Sequence, residues 1–271
     1  MKTGGTSFAD IIANNFRASD RYPDAYLTPD LNIFERFETY LYVPGFVARV
    51  NAMQGRLRVV SGHVPYGVRS LLRDSYIAMT LLRDPVERTL SYLKHCRKYH
   101  IEHMNLTLEQ IYDDAWFHAS FIHNYQTKIF SMSAQESLAE DRHLPGVVKL
   151  PSRQEMADGT NLSEDVELLR RSAPGRVSLE CFAASTGVIE VDEQRLQIAK
   201  DNLSAVEVVG VTEHYDRFLK QLVERYGWDI KSMPHRHAGD SEHVSQAFQR
   251  RIARDNAFDI ELHEYAKSIA S

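Results

Sequence analysis

Tyr76-Ile77-Ala78-Met79-Thr80-Leu81-Leu82-Arg83-Asp84-Pro85 decides the fold class. Its first seven residues form a near-continuous apolar run. Such a run suits a strand buried on both faces, as in a parallel sheet covered by helices. Pro85 fits the first turn of a helix, where a missing N–H costs nothing, and Asp84 is its cap. The helix continues through Val86, Leu90, Tyr92 and Leu93 toward His95. Arg83 therefore stands at a strand-to-helix junction. Ser91 follows eight residues later, about two turns into the helix at ~3.6 residues per turn. Both can face one mouth of the sheet. The plainer readings are a salt bridge from Arg83 to Asp84 or Glu87 and a small helix–sheet contact at Ser91.

Upstream, Leu57-Arg58-Val59-Val60 reads as a short strand running into Ser61-Gly62-His63-Val64-Pro65. Ligands of open α/β sheets bind outside the carboxyl ends of strands, so His63 stands where chemistry is expected. At the amino end, Lys2-Thr3-Gly4-Gly5-Thr6-Ser7 places two glycines between hydroxyl residues. An apolar face follows at helical spacing: Phe8, Ile11, Ile12 and Phe16. A Gly-rich loop opening a helix is an anion trap, because free N–H groups and the helix dipole point at the ligand. The other reading is a frayed chain end. The order of residues is not that of a Walker A loop, since the lysine precedes the glycines.

The chain has 271 residues, 43% hydrophobic and 25% charged, enough for one sizeable α/β domain. A net charge of −5 argues against a general nucleic-acid binder. Cys96 and Cys181 give neither a disulfide framework nor zinc spacing. No signal peptide and no membrane-spanning run is evident, so a cytoplasmic location is expected. A helix is expected near residues 33–41, then a break at Pro44-Gly45 and a second short helix. Helices should fill most of Leu106–Ser133, with Thr107 as a cap. A long, mobile polar loop is expected over about 134–175, holding a helix near Glu164–Arg171, with a strand near Arg176–Cys181. Asp192 should cap a helix, and Val206–Val211 should be a strand. Thr212 should cap a helix ended by Gly227, and one final helix should span about Ser245–Ile269.

Together these stretches resemble the sulfotransferases that use 3′-phosphoadenosine 5′-phosphosulfate, in the branch of the heparan sulfate 2-O-sulfotransferases and their bacterial relatives. Lys2-Thr3-Gly4-Gly5-Thr6-Ser7-Phe8 is similar to the family's 5′-phosphosulfate loop. Arg83 to Ser91 is similar to its 3′-phosphate motif, and Gly62-His63 stands at the place of its catalytic histidine. Val209-Gly210-Val211-Thr212-Glu213 and Asn256–Leu262 resemble downstream segments. The resemblance implies a single sulfotransferase domain over 1–271, with a P-loop-like parallel sheet flanked by helices. It implies sulfuryl transfer to an acceptor hydroxyl, of a carbohydrate or glycolipid, with adenosine 3′,5′-bisphosphate as product and no metal. Lys2 would stabilise the leaving group and His63 would be the general base. Thr3, Gly4, Gly5, Thr6 and Ser7 would hold the 5′ end, and Arg83 and Ser91 the 3′-phosphate. Asn124, Gln126 and Lys128 resemble a segment near the site, without an assigned role.

Two departures stand out. Ser61 occupies a position where the heparan branch often has a second histidine. The strand and proline that usually lead into the lysine are missing ahead of Met1. The expectation is a gap beside the Tyr76–Leu82 strand, which residues coded upstream would fill. Two rival readings remain: a P-loop kinase, which would need a magnesium-binding carboxylate and a Walker lysine, and a non-catalytic nucleotide-binding module, which would not need His63.

Overall fold

The computed structural model describes residues 5–22, 43–99, 103–138, 186, 189–230 and 244–270. Helix α1 (Gly5–Asn15) opens it, and a 3₁₀ turn leads to β1 (Arg21–Tyr22). Helix α2 (Val43–Ala52) precedes β2 (Val59–Val60). This is the expected second short helix, with Pro44 and Gly45 in its first turn. The first turn has orphan N–H groups anyway, so proline costs little there. Then come a 3₁₀ turn over Tyr66–Leu71, β3 (Met79–Leu82) and α3 (Pro85–Tyr99).

Short helices follow, as expected for this segment: α4 (Leu108–Asp113), a π turn over His118–Ile122, α5 (Tyr125–Ser131) and α6 (Ala134–Leu138). Thr107 caps α4 in a reciprocal box with Gln110. The expected polar loop begins as the helix α6. Its remainder, with the helix near Glu164–Arg171 and the strand near Arg176–Cys181, lies outside the described residues, as does the helix near 33–41. Helix α7 (Glu193–Ser204) is capped by Asp192, whose side chain accepts from the Arg195 N–H at 2.8 Å. Strand β4 (Val208–Val211) leads through a 3₁₀ turn to α8 (Tyr215–Tyr226), which Gly227 ends at φ +67°. Thr212 opens the 3₁₀ turn and caps nothing. The expected final helix is two, α9 (Gln246–Asp255) and α10 (Ala257–Ile269), parted at Asn256. Asn256 turns its side chain inward, donating to the Ile252 carbonyl and accepting from the Asn124 N–H.

Among the described residues the strands form two parallel pairs, β1 with β2 and β3 with β4. An α/β architecture with parallel strands is therefore present. Within each pair the two strands run the same way. Helix α8 returns antiparallel to β4, since Arg225 donates to the Glu207 carbonyl just before β4. Trp228 therefore marks the amino end of β4, and Phe16 packs edge-on against it at 5.2 Å. Arg58, just before β2, lies over the same Phe16 ring at 5.5 Å. Phe16 thus meets the amino ends of both pairs. Phe8, two turns earlier on α1, stacks on Trp228 at 5.9 Å and meets Phe218, the ring that lies against Gly210 of β4, at 5.6 Å. Helix α1 runs alongside α8, and its Asn15 bonds to the Asp229 backbone at its far end.

Packing fixes the helices on this frame. Residues of α1 and α8 cover one face of β4 with Ile11, Phe218, Leu219 and Leu222. Gly210 lets Phe218 lie flat on the strand: a Cβ there would stand 2.6 Å from the ring. Helices α5, α7 and α10 cover the other face with Phe130, Leu196, Leu203 and Leu262. A third cluster joins α3 and α4 to the π turn and α9. Arg88 is buried beside it, donating to the Phe121 carbonyl at 2.8 Å with its guanidinium 4.2 Å from the Tyr125 ring centre. Cys96 is buried in this cluster and forms no disulfide among the described residues. No described helix is long and apolar enough to cross a membrane.

Candidate functional site at the strand ends

A cavity of about 970 Å³ lies between the two strand pairs. Its walls are the β2 and β3 runs, the α1 residues Phe8, Ala9 and Ile12, and Phe46 and Phe130 from the opposite side. At the carboxyl end of β2 the wall continues through Ser61, Gly62 and His63; at the end of β3 it reaches Leu82, Tyr125 and Gln126. Gly62 passes close to Phe46, since a Cβ would meet that ring at 3.2 Å. His63 is half-buried at the cavity wall, and burial lowers its pKa to about 3. It is neutral at pH 7, with a nitrogen lone pair to accept a proton.

Gln126 ties this wall to Arg83. Its carboxamide accepts from the Arg83 N–H at 3.1 Å and donates to the Arg83 carbonyl at 2.9 Å. Arg83 itself pairs with Glu87 at 3.3 Å on the first turn of α3, one of the plainer readings of the sequence. Glu87 and Ser91 lie four apart on α3 and share one flank of it, and Arg83 reaches Glu87 from just before the helix. Ser91 is half-buried there and outside the cavity wall. Asp84 accepts from the Glu87 N–H at 2.9 Å, the helix cap expected of it. The Asp84 N–H donates to Glu213 at 3.0 Å, and Glu213 also meets buried His263 at 3.3 Å.

Of the expected site residues, His63 lines the cavity, Arg83 is bonded to its wall through Gln126, and Gly5, Thr6 and Ser7 form the first turn of α1. Lys2, Thr3 and Gly4 lie outside the described residues. Among the described residues no three His, Cys, Asp or Glu side chains gather as a metal-binding group.

Asn124, Gln126 and Lys128 receive positions that the sequence did not give. Asn124 adopts the left-handed conformation, φ 47°, and its side-chain oxygen accepts from the Asp259 N–H. Lys128 is 1% exposed and donates to the Ala119 carbonyl at 2.6 Å. Burial lowers its pKa to about 8, against the raising effect of Asp259. Asp259 is the residue that sequence reasoning missed. Its carboxylate accepts from the Gln126 N–H at 3.0 Å, the Thr127 N–H at 2.7 Å and the Thr127 hydroxyl at 2.8 Å. It holds the first turn of α5, which presents Gln126 to Arg83. The one legible sign was a carboxylate and an imidazole, Asp259 and His263, in the apolar register of Leu262 and Ala266.

His63 lines the cavity, Arg83 is bonded to its wall through Gln126, and the first turn of α1 precedes the lining residues Phe8, Ala9 and Ile12. That arrangement can hold an anionic ligand and deprotonate a hydroxyl beside it. Scans against protein-family models, curated proteins and solved structures found no match for this chain.

Proposed function

We propose that the chain is a sulfotransferase that moves a sulfuryl group from 3′-phosphoadenosine 5′-phosphosulfate to an acceptor hydroxyl, in keeping with the resemblance of its motifs. The observation that carries this reading is one cavity wall that holds His63 after β2 and, through Gln126, Arg83 after β3. Neutral His63 takes the proton from the acceptor hydroxyl as its oxygen attacks sulfur. The new S–O bond forms while the bond from sulfur to the 5′-phosphate oxygen breaks. Charge then builds on that phosphate. The N–H groups of the first α1 turn and the Lys2 cation stabilise it. Arg83 and Ser91 grip the 3′-phosphate, Arg83 through its planar fork. The acceptor is a carbohydrate or glycolipid hydroxyl.

Calorimetric titration with adenosine 3′,5′-bisphosphate and with ATP separates this reading from a kinase. Transfer of label from [³⁵S]-donor to a panel of sugar hydroxyls separates it from a non-catalytic module. Preference for ATP, or ligand binding with no label transferred to any acceptor, refutes it.

A further inference from the structure

Strand β3 ends at Leu82, but the chain is held in place for two residues more. Strands β3 and β4 pair one for one, Leu82 with Val211. That register carried on would set Arg83 opposite Thr212 and Asp84 opposite Glu213. After β4 the chain turns instead into the 3₁₀ helix over Thr212–His214, so its backbone leaves the ladder there. The Glu213 side chain takes over, since one of its oxygens accepts from the Asp84 N–H at 3.0 Å. On the other side the Gln126 carboxamide holds both backbone groups of Arg83. Two side chains thus fix the junction that carries Arg83.

Both are themselves held from α10. Asp259 accepts from the Gln126 N–H at 3.0 Å. His263, one turn further along the helix, meets the second oxygen of Glu213 through Nε2 at 3.3 Å, and the Thr212 hydroxyl reaches the same oxygen at 3.4 Å. A carboxylate only accepts, so that imidazole nitrogen carries the hydrogen. Asp259 and His263 are 1% and 3% exposed, while Leu262 and Ala266 beside them join the apolar core. A helix that only covered the sheet would be apolar at all four positions, because burying a polar group is costly unless it is bonded. The two polar side chains of this face act on one junction, from its two sides.

We propose that Glu213 and His263 are positioning residues for Arg83: His263 orients the Glu213 carboxylate, Glu213 fixes the Asp84 N–H, and the Arg83 fork is thereby aimed at the 3′-phosphate of the donor. The last step rests on the sulfotransferase reading; the first two do not. Without Glu213 the junction keeps only its Gln126 side, so Arg83 stays in the site and loses its aim. Arg83 grips a part of the donor that does not react, so this loss raises KM for the donor and leaves kcat nearly unchanged.

Calorimetry with adenosine 3′,5′-bisphosphate and with adenosine 5′-phosphate tests the arrangement. The Glu213 side chain is 38% exposed, so alanine there leaves the core closed. Glu213→Ala should weaken the bisphosphate by about 3–10-fold, the worth of one hydrogen bond, and the monophosphate by less than about twofold. Glu213→Gln should bind like the native protein, because its carbonyl still accepts from Asp84 and its amide can donate to the other imidazole tautomer. His263→Ala should cost about 2–3-fold in the native background and nothing further beside Glu213→Ala, since it acts through that carboxylate. Equal losses for the two ligands, no rescue by glutamine, or the same His263→Ala loss in both backgrounds overturns the proposal. Exchange of the Asp84 amide, read without ligand, separates it from the donor chemistry. Exchange at least about tenfold faster in Glu213→Ala, where the native protein prefers neither ligand, keeps the clamp and refutes the donor reading. Unchanged exchange refutes the clamp whatever the protein binds.

Discussion

Replacing Asp259 by alanine should be the most damaging single change outside the strand-end cavity. The carboxylate is 1% exposed and accepts three hydrogen bonds from the first turn of α5. Alanine leaves the Gln126 and Thr127 N–H groups buried with no acceptor. An orphaned buried donor costs about 1–3 kcal/mol, while the Thr127 hydroxyl can rotate elsewhere. Removing one member of a buried charged network typically costs about 3–5 kcal/mol, which agrees with two such donors. Against a total stability of about 5–15 kcal/mol this is a large fraction. Asp259→Asn keeps one acceptor oxygen at the same place and should lose only about 1–2 kcal/mol. Urea unfolding of the three proteins reads this directly, with the midpoint falling and the slope unchanged. Because Gln126 then loses its seat, Asp259→Ala should also weaken binding of adenosine 3′,5′-bisphosphate. A loss below about 1 kcal/mol in the alanine protein would sink the reasoning. So would an asparagine protein as unstable as the alanine one, since negative charge and not acceptance would then be what α5 needs.

His63→Ala should leave donor binding nearly intact and lower kcat by at least about 10²-fold. Because burial holds the His63 pKa near 3, kcat/KM of the native protein should not fall as pH drops through 6.5; an acid limb at 6.5 would contradict its desolvation. Arg83→Ala should weaken adenosine 3′,5′-bisphosphate far more than adenosine 5′-phosphate in calorimetry, and equal losses would remove Arg83 from the 3′ end. Glu87 competes for the same fork at 3.3 Å, so Glu87→Gln should tighten adenosine 3′,5′-bisphosphate by about 2–5-fold, the worth of an exposed ion pair; unchanged or weaker binding would count against that site. The Arg195 guanidinium holds Glu136 down to a pKa of about 2. A depressed carboxylate contributes stability above its ordinary value of 4.5 that is lost as pH falls toward 2. Glu136→Gln should therefore flatten the stability profile between those pH values, and an unchanged profile would mean the pair adds nothing.

Local patterns carried the frame. The apolar run at Tyr76–Leu82 and the strands at Leu57–Val60 and Val206–Val211 were legible, and each is shorter in the structure. Glu207 explains one shortening: its carboxylate, not its strand position, binds the Ala78 N–H at 2.7 Å and pairs with Arg69. Caps at Thr107, Asp192 and Gly227 followed from residue type, because capping is chemistry within three or four residues. The break at Asn256 was hidden because the apolar periodicity runs straight through it. What stops the helix is a side chain that reaches Asn124, 132 positions away. The seats of Asn124, Gln126 and Lys128 were illegible for the same reason: their partners are remote in sequence and leave no periodic trace.

That remoteness bears on how the protein is made. Asp259 lies 133 residues beyond Gln126, and His263 lies 50 beyond Glu213. During synthesis the strand ends, His63 and Arg83 leave the ribosome first, but the turn that fixes Arg83 stays without its acceptor until α10 emerges. Long-range closures of this kind are slow and come late. The strand-end site is therefore set by a helix translated more than 100 residues after it, and a nascent chain short of α10 carries His63 and Arg83 with no means of holding Gln126 in place.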